Sequence, residues 1–281
     1  MRVLVIGSNG QLGQSIKSIA SSYNLTFVFS DRRVLDITNK ENITTYFKNY
    51  QFDFCINCSA YTAVDKAESE LELAKKINAI GVGYLAKTCK ENQTTLIHIS
   101  TDFVFNGESF IPYLEDDKAQ PISVYGQTKL DGEKVIQQIL DNYYIIRTSW
   151  LYSEFGNNFM KSMLKLSKSK KELSIVNDQI GTPTYAVDLA EAIIKIIQSK
   201  PKYGIYHYSN LGVSSWYDFV KAIFEYSNID IKINAIPTKD YPTPAKRPYF
   251  SILNKTKIQN NFNLKIPYWR ESLKKSLKTV F

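Results

Sequence analysis

A tyrosine and a lysine four residues apart, Tyr125 and Lys129, are the side chains of this sequence whose spacing suggests chemistry. At the start of a helix such a pair shares one face, so the lysine ammonium can approach the phenol. A neighbouring cation favours the phenolate and should lower the phenol pKa from about 10 toward neutrality. Thr101, which follows an earlier apolar run, can add a hydroxyl to the same cluster. The set suits carbonyl reduction, in which Tyr125 protonates the oxygen while a nicotinamide delivers hydride to the carbon.

Most Tyr-x-x-x-Lys pairs are solvated helix faces, so the interpretation depends on the elements around this one. Residues 3–6 form an apolar, β-branched run, which is typical of a strand covered on both faces. Gly7, Gly10 and Gly13 follow it and lead into a helical pattern. Such glycines let the backbone approach a pyrophosphate, whose charge meets the helix N-terminus. The order of strand, turn and helix favours a dinucleotide site over a plain glycine-rich turn.

The end of the second predicted strand, residues 25–29, bears on the choice of cofactor. Asp31 follows this strand, and an acidic residue at that place usually holds the adenosine ribose hydroxyls. Arg32 comes next, and an arginine there can hold a 2′-phosphate. Both residue types are present, so NADH and NADPH remain open as cofactors, with NADPH slightly favoured.

Three further apolar runs, residues 52–58, 96–99 and 144–147, predict more strands of one parallel sheet. Ligands of open α/β sheets bind beyond the carboxyl ends of the strands, where Thr101, Asp102 and Trp150 are expected. Turn-rich segments after residue 150 indicate a smaller lobe. We predict an α/β fold with a Rossmann-type doubly wound parallel sheet in residues 1–150, to which later segments return, and a mainly substrate-binding lobe in residues 151–281.

Composition narrows the class of protein. The 281 residues are 44% hydrophobic and carry a net charge of +8. No run approaches the ~20 apolar residues of a membrane span, and the amino terminus lacks a signal-peptide pattern, so a cytoplasmic protein without a membrane partner is expected. The basic residues from 161 to 171 read as one solvated helix face rather than a nucleic-acid site. The pair Cys55 and Cys58 lies in a buried-strand pattern and is interpreted as core, and the two histidines are too far apart in sequence for a metal site.

Seven blocks of the sequence occur in the order of one known family and cover nearly its whole length. They are the glycine-rich turn at 7–13, Ala-Tyr-Thr-Ala-Val-Asp-Lys-Ala-Glu at 60–68, Ser-Thr-Asp-Phe-Val-Phe at 100–105, Tyr-Gly-x-x-Lys at 125–129, Arg-Thr-Ser-Trp at 147–150, Asn-Asp-Gln-x-Gly-x-Pro-Thr at 177–184 and Pro-Thr-Pro-Ala-x-Arg-Pro at 242–248. With these blocks the chain resembles the dTDP-4-dehydrorhamnose reductases, which belong to the extended short-chain dehydrogenase/reductases. The set is specific, whereas any single block is not.

The resemblance implies roles for individual residues. Tyr125 would donate the proton, while Lys129 would hold the cofactor ribose and Thr101 would assist. Beside Gly7, Gly13, Asp31 and Arg32, the expected cofactor contacts are Gly10, Gln11 and Leu12 at the pyrophosphate, Asp36 and Ile37 at the adenine, Ala60, Tyr61 and Thr62 in the middle, and Ile99, where relatives often have tyrosine. The expected sugar-nucleotide contacts are Thr101, Asp102, Tyr125, Trp150, Asn158, Gln179 and Arg247. Trp150 has an alternative as a core aromatic at a strand end.

The resemblance also implies an activity, the NAD(P)H-dependent reduction of the C4 keto group of dTDP-4-dehydro-β-L-rhamnose, in dTDP-rhamnose biosynthesis for cell-surface polysaccharide. The family's magnesium sites use glutamates; Mg²⁺ is therefore an option, but Ser15 occupies one such region and no metal ligand is assigned. A homodimer is compatible with the sequence. Two alternatives stay open: a reductase of another 4-keto-6-deoxy nucleotide sugar, carried on dTDP or UDP, and a non-catalytic NADP-binding regulatory subunit like the methionine adenosyltransferase β subunit.

Overall fold

The computed structural model describes residues 1–199 and 201–280. Within them the strands are β1 (Arg2–Ile6), β2 (Thr26–Ser30), β3 (Phe54–Asn57), β4 (Thr95–Thr101), β5 (Tyr143–Thr148), β6 (Leu151–Tyr152), β7 (Glu172–Val176), β8 (Ile180–Gly181), β9 (Thr184–Tyr185), β10 (Gly204–His207), β11 (Ser214–Ser215) and β12 (Lys232–Ile236).

The helices alternate with these strands over the first half of the chain. They are α1 (Gln11–Ile19), α2 (Lys40–Asn49), α3 (Val64–Ala67), α4 (Leu71–Lys75), α5 (Val82–Glu91), α6 (Val124–Ile139), α7 (Phe159–Ser167), α8 (Ala186–Ser199), α9 (Trp216–Tyr226), α10 (Thr256–Phe262) and α11 (Trp269–Lys278). Among the described residues, none of the helices combines the length and the apolarity that crossing a membrane requires.

Six strands form one sheet in the order β10-β5-β4-β3-β1-β2. Every neighbouring pair in it is parallel. The chain moves outward from β1 to β2 and then returns past β1 to β3, so the direction of winding reverses between β1 and β3. In a doubly wound sheet this switch point opens a crevice at the carboxyl ends of the strands. The architecture confirms the predicted α/β class with a Rossmann-type parallel sheet.

Helices cover both faces of this sheet, which explains the continuous apolar run of β1. Val3 and Val5 lie in one buried cluster with residues of α1 and α8. Leu4 and Ile6 lie in the cluster on the opposite face, with residues of α2 and α5. All four side chains are fully buried. The predicted two-sided burial of the first strand is therefore confirmed.

A third apolar cluster lies outside the sheet and joins α7, α9 and α11. Beside it stand the parallel pair β7 and β12 and the antiparallel pair β8 and β11. After residue 150 the chain nevertheless contributes β10 to the edge of the main sheet, where it pairs with β5. The division into residues 1–150 and 151–281 stays a prediction, and its last residue lies outside the described part of the chain.

Candidate active site

The glycine-rich turn builds one wall of a cavity of about 330 Å³ at the carboxyl ends of β1, β2 and β3. Gly7 has φ +76°, a conformation that L side chains rarely adopt, and a Cβ there would lie 2.8 Å from Ser59 N. The turn delivers the chain to α1, which begins after Gly10 with uncharged residues in its first turn. Because the first amides of a helix have no partner within the helix, this end of α1 offers donors to an anion. The cavity has the geometry of a pyrophosphate site.

About half of the predicted cofactor residues line this first cavity. They are Gly7, Gly10, Asp31, Arg32, Asp36, Ile37 and Ala60. Asp31 accepts hydrogen bonds from Asn9 Nδ2 at 2.9 Å and from Arg33 Nη2 at 2.8 Å. The hydrogen bond from Arg33 is the largest influence on Asp31 and holds the pKa of that carboxyl below its usual value. The acidic and basic groups predicted for the adenosine end therefore stand side by side.

A second cavity of about 670 Å³ opens next to the first, and Gly10, Cys58 and Ala60 line both. Most of the remaining predicted residues, from both halves of the chain, line this second cavity. Those that line it are Gln11, Leu12, Thr62, Ile99, Thr101, Asp102, Tyr125, Lys129, Trp150 and Arg247. The structure thus brings together the three residues predicted to be catalytic at the junction with the dinucleotide-like cavity. Their roles in binding and catalysis stay predictions.

Helix α6 positions Tyr125 within its first turn. Ser123 caps the helix by accepting a hydrogen bond from Gly126 N at 3.2 Å. A Cβ at Gly126 would lie 2.2 Å from Phe103 O, so only glycine lets the helix start approach the backbone that follows β4. The Phe103 ring packs edge-on against Tyr125 with centroids 5.5 Å apart. The Tyr-Gly sequence therefore places the phenol beside Thr101 and Asp102.

The expected lowering of the Tyr125 pKa is contradicted. Burial raises the pKa of Tyr125 to about 12; the Thr101 hydroxyl opposes the rise, and the charge of Asp102 adds to it. The sequence argument assumed that the lysine charge would dominate, but removing the phenolate from water costs more than that charge returns. A phenol with this pKa stays protonated at neutral pH. The Tyr125 hydroxyl therefore carries a proton that it can donate, and in this neutral form it does not act as a base.

Lys129 is buried below Tyr125, with 2% of its surface exposed. Its Nζ donates to Ile99 O at 2.6 Å and lies 3.3 Å from His98 Nε2. Burial lowers the pKa of Lys129 to about 8, while the Glu133 carboxylate one turn further along α6 opposes the change. The amine can therefore exchange its proton in a pH range close to neutrality.

Asp102 lines the second cavity, and its carboxyl group is buried. Its Oδ1 accepts a hydrogen bond from Thr101 Oγ1 at 3.0 Å. Within the described part of the chain, Oδ2 is buried and has no hydrogen-bond partner. Burial raises the pKa of Asp102 to about 6, although the hydroxyls of Ser251 and Thr101 oppose the rise. A buried acceptor without a donor is costly, so a donor that reached Oδ2 would be favourable.

Two tryptophans form the apolar wall opposite these polar groups. The rings of Trp150 and Trp216 stack 3.6 Å apart with an angle of 7° between their planes. Trp150 has φ +45°, which is unusual for a bulky residue, and Gly181 leaves room for its indole on the other side. Trp216 was not among the predicted residues, because only the fold brings α9 to the end of β5. Trp150 is thus held at the cavity rather than inside the core.

Arg247 reaches the cavity from the proline-rich segment near the carboxyl terminus. Its guanidinium donates to both oxygens of Asp65, at 3.0 Å and 2.7 Å. Arg247 also lines a third cavity of about 500 Å³, together with Phe159, Gln179 and Trp216. Both amide atoms of Gln179 are engaged, since Oε1 accepts from Trp216 Nε1 at 3.1 Å and Nε2 donates to Thr238 Oγ1 at 3.1 Å. These two hydrogen bonds therefore hold Gln179 in the wall of the third cavity.

Besides Gln179, three predicted residues lie outside the lining of the first two cavities. Gly13 packs against the backbone of Gly7 and Ser8. The Tyr61 hydroxyl donates to Glu70 Oε2 at 2.8 Å. Asn158 caps α7, and its Nδ2 donates to Gln11 Oε1 at 2.9 Å, while its neighbour Asn157 lines the second cavity. Asn158 thus connects the smaller cluster of helices to the glycine-rich turn, and its contact with a substrate stays a prediction.

A π-helical segment, Lys76–Gly81, lies between α4 and α5. Its Asn78 accepts a hydrogen bond from Tyr61 N at 2.9 Å and donates to Tyr61 O and to Thr128 Oγ1, each at 3.1 Å. One buried amide therefore fixes both the loop after β3 and helix α6. Such π segments often occur at functional sites. The periodicity of the sequence contains no signal for it.

The arrangement of the possible metal ligands and the surroundings of the cysteines bear on the sequence predictions for them. In residues 1–199 and 201–280, no group of three or more His, Cys, Asp and Glu side chains is arranged to hold a metal ion. Cys55 and Cys89 lie in an apolar cluster beside the sheet. Burial raises the pKa of the Cys58 thiol to about 12, so this thiol stays uncharged.

Comparison with known proteins agrees with this geometry. The family model described as RmlD substrate binding domain matches residues 1–281. The dTDP-4-dehydrorhamnose reductase of Escherichia coli (strain K12) is 42% identical over 294 residues, which cover 100% of this chain and 98% of that protein. The solved structure of the Clostridium acetobutylicum dTDP-4-dehydrorhamnose reductase matches with a TM-score of 0.96 at 42% identity, covering 100% of this chain and 99% of that one.

A second solved structure, the dTDP-4-dehydrorhamnose reductase of Bacillus anthracis str. Ames in complex with NADP, matches with a TM-score of 0.95. It is 38% identical and covers 99% of each chain. These matches extend over the whole length and include both the sheet and the smaller helical cluster. They confirm the resemblance carried by the sequence motifs. The chain therefore belongs to the dTDP-4-dehydrorhamnose reductase family, whose model is described as RmlD substrate binding domain.

Proposed function

We propose that this chain reduces the C4 keto group of dTDP-4-dehydro-β-L-rhamnose to the alcohol of dTDP-β-L-rhamnose, with NADPH or NADH as the reductant. The observation that carries the proposal is the position of Tyr125, Thr101 and Lys129 in a cavity that continues into the glycine-rich one. A protonated phenol thus stands between a dinucleotide-like site and a space of sugar size. Relatives that are 38–42% identical bear the name of this activity.

The two adjoining cavities fit a nicotinamide dinucleotide, with its adenosine and pyrophosphate in the first and its nicotinamide in the second. Gly7 and Gly10 leave space for a pyrophosphate beside the amides of α1, and Asp31 with Arg32 stands at the adenosine end. When bound, the reduced nicotinamide supplies the hydride for the carbonyl carbon. The exposed guanidinium groups of Arg32 and Arg33 can bind a 2′-phosphate, which favours NADPH over NADH. The NADP complex of the Bacillus anthracis relative agrees with that preference.

The chain's own residues supply the proton and stabilise charge. Tyr125 donates its proton to the carbonyl oxygen, which is favourable because an alkoxide is far more basic than a phenolate. Thr101 offers a hydroxyl beside Tyr125, and it stabilises the phenolate left behind by turning its one proton from Asp102 Oδ1 to Tyr125. The ammonium of Lys129 favours this transfer from its buried position on the same helix face. Proton donation of this type contributes about 10²–10⁴-fold to a rate.

The substrate is held from the side opposite the dinucleotide. Asp102 accepts a hydrogen bond from a sugar hydroxyl when its side chain turns toward the ligand, and the Trp150 and Trp216 pair packs against the apolar 6-deoxy edge of the sugar. Arg247, which faces both the second and the third cavity, pairs with the diphosphate. The nucleoside then occupies the third cavity. The reaction takes place in the cytoplasm as a step of dTDP-rhamnose supply for polysaccharide, and a homodimer stays a prediction.

The direct test is oxidation of NADPH and of NADH, measured separately by absorbance, with freshly generated dTDP-4-dehydro-L-rhamnose. We expect turnover with both reductants and a higher kcat/KM with NADPH. Turnover only with another 4-keto-6-deoxy sugar, or only with the UDP form, would transfer the proposal to that substrate. Tight NADPH binding without oxidation by any keto sugar would replace it with the non-catalytic regulatory alternative.

A further inference from the structure

The chain has two histidines, and each lies fully buried next to a basic residue. His98 on β4 contacts Lys129, and His207 on β10 contacts Arg147. Neutral imidazole has one N–H donor and one acceptor nitrogen, so the neighbours of each ring decide which nitrogen carries the proton. The two rings have different neighbours on their second nitrogen.

The neighbours of His98 make its Nδ1 an acceptor. Ser59 N–H donates to Asn57 Oδ1 at 3.0 Å. A backbone amide can only donate, so the oxygen of the Asn57 side chain must face it and the NH₂ group must face the ring. Asn57 Nδ2 lies 3.1 Å from His98 Nδ1. Nδ1 therefore accepts, and the proton of the neutral ring is on Nε2.

This tautomer directs an N–H at Lys129. His98 Nε2 lies 3.3 Å from Lys129 Nζ, and the same Nζ donates to Ile99 O at 2.6 Å. An ammonium group has donors only, so it cannot accept the Nε2 proton. An uncharged amine accepts it with its lone pair and still donates to Ile99 O. The hydrogen bonds around Lys129 are all satisfied only when its amine is uncharged.

We propose that His98, oriented by Asn57, is a positioning residue that presents Nε2–H to Lys129 and thereby favours the uncharged amine of Lys129. Through Asn57 the arrangement connects Lys129 to Ser59, which lines the glycine-rich cavity. The protonation of Lys129 is thus linked to the backbone that passes beside the dinucleotide-like site. Protonation of Lys129 requires His98 to move its proton to Nδ1 and the Asn57 amide to turn.

The other groups around Lys129 agree with this assignment. Burial lowers the pKa of Lys129 to about 8 and that of His98 well below its usual value, so the ring stays neutral. Glu133 on the same helix would favour the ammonium, but its charge is shared with Arg147 of β5. The remaining titratable side chains that line the cavity beside Lys129 are Tyr125, Tyr152, Asp102, Cys58 and Arg247.

His207 provides an internal contrast. Arg147 Nη1, which can only donate, lies 3.4 Å from His207 Nε2. His207 Nδ1 lies 3.1 Å from Tyr113 O, which can only accept. His207 therefore carries its proton on Nδ1, the reverse of His98. One protein with two histidines in opposite neutral tautomers gives an unambiguous spectrum.

Long-range ¹H–¹⁵N correlation spectra of the intact protein, labelled with ¹⁵N-histidine, test the proposal without any substrate. At about pH 9, where Lys129 with its pKa of about 8 is mostly uncharged, we expect one neutral ring protonated on Nε2, which disappears in His98→Gln, and one protonated on Nδ1. In Asn57→Asp the carboxylate accepts from both Ser59 N–H and His98, so His98 should change to the Nδ1–H tautomer. His98 found with its proton on Nδ1 in the unaltered protein at that pH would overturn the proposal.

A kinetic test rests on the proposed function, because it needs Lys129 to act as an ammonium during turnover. The kcat should then fall as pH rises through the pKa of Lys129, and Asn57→Asp should move this fall upward by about one pH unit. Asn57→Asp in a His98→Leu background is the matched control, since it keeps the added charge and removes the ring. We expect at most a small shift there. An equal shift of the kcat profile in both backgrounds would show that the Asn57→Asp charge does not act on Lys129 through His98, and would refute the proposal. Absence of turnover in the unaltered protein would count against the proposed function, and the spectroscopic test would still apply.

Discussion

Arg147 on β5 and Glu133 on α6 form a buried ion pair beneath the helix that carries Tyr125 and Lys129. Arg147 Nη2 lies 2.7 Å from Glu133 Oε2, and the two side chains are 4% and 1% exposed. Ser100 Oγ also donates to Glu133 Oε1, at 2.5 Å. Buried pairs of this kind hold elements in one arrangement, and each partner depends on the other because an unpaired buried charge is costly.

Removal of one charge from this pair should destabilise the fold. Glu133→Gln keeps the volume but leaves Arg147 without a counter-charge, so we expect the free energy of unfolding in urea to fall by about 3–5 kcal/mol. The control is Glu225→Gln, since Glu225 pairs with Arg270 at 2.6 Å on the surface. That change should cost less than about 1 kcal/mol. Similar losses in the two variants would contradict the argument.

Loss of the Tyr125 hydroxyl should abolish catalysis and spare cofactor binding. Tyr125→Phe keeps the ring and its packing against Phe103, so we expect kcat to fall about 10²–10⁴-fold with little change in the Kd for NADPH. Initial rates from absorbance assays give kcat, and fluorescence titration with NADPH gives its Kd. Tyr50→Phe, at an exposed position outside the cavities, should behave as the unaltered protein. Near-normal turnover of Tyr125→Phe would exclude Tyr125 as the proton donor.

Asp102 should make stability depend on pH. Its pKa is raised from 3.8 to about 6 in the folded protein, so between these values the folded state binds more protons than the unfolded state. The contribution of Asp102 to the free energy of unfolding is therefore greatest below about pH 4. It falls by about 2–3 kcal/mol as the pH rises to about 6. Asp102→Asn removes the charge and should be more stable than the unaltered protein at about pH 7.5, while binding the sugar nucleotide less tightly. Urea unfolding of both proteins at about pH 4.5 and 7.5 checks this prediction. The same difference in unfolding free energy between Asp102→Asn and the unaltered protein at both pH values would contradict it.

The tryptophan stack should affect the sugar nucleotide and leave the cofactor alone. Trp216→Leu removes the ring that holds Trp150 in its unusual backbone conformation, and we expect the KM for the sugar nucleotide to rise about tenfold. The KM for NADPH should be unchanged. Trp216→Phe retains an aromatic surface and should restore much of the affinity. Near-ultraviolet circular dichroism reports loss of the stack; loss of the signal with an unchanged KM would show that the stack is structural only.

The contact between Asp65 and Arg247 should matter for binding more than for stability. The two side chains are 40% and 24% exposed, so the ion pair itself contributes within about 1 kcal/mol to unfolding. Asp65→Asn leaves Arg247 in place without a bidentate partner, and we expect the KM for the sugar nucleotide to rise about 3–10-fold. Asp65→Glu should recover part of the loss. A large fall in unfolding free energy with an unchanged KM would contradict the assignment.

The local patterns of the sequence were sufficient for five of the six strands of the main sheet and for the glycine-rich turn. A run such as residues 3–6 is buried on both faces wherever helices cover a parallel sheet, so its apolar character alone predicts the strand. Likewise, the order of residues in β4 and β5 places Thr101 at a strand end and Asp102 and Trp150 just beyond the strand ends. The sequence motifs also identified the family, because several blocks in a fixed order are far more specific than one.

Only the tertiary structure determined the direction of the Tyr125 pKa shift and the contacts that buried side chains make across the fold. The Tyr125 pKa was predicted in the wrong direction, because the spacing to Lys129 shows the nearby charge but not how far both groups are removed from water. Asn78, Trp216 and the tautomer of His98 depend on contacts between residues that are far apart in sequence, such as Asn57 and His98. Helical and strand periodicities describe which face of an element is buried, whereas the group that meets a buried polar atom is determined only when the elements pack together.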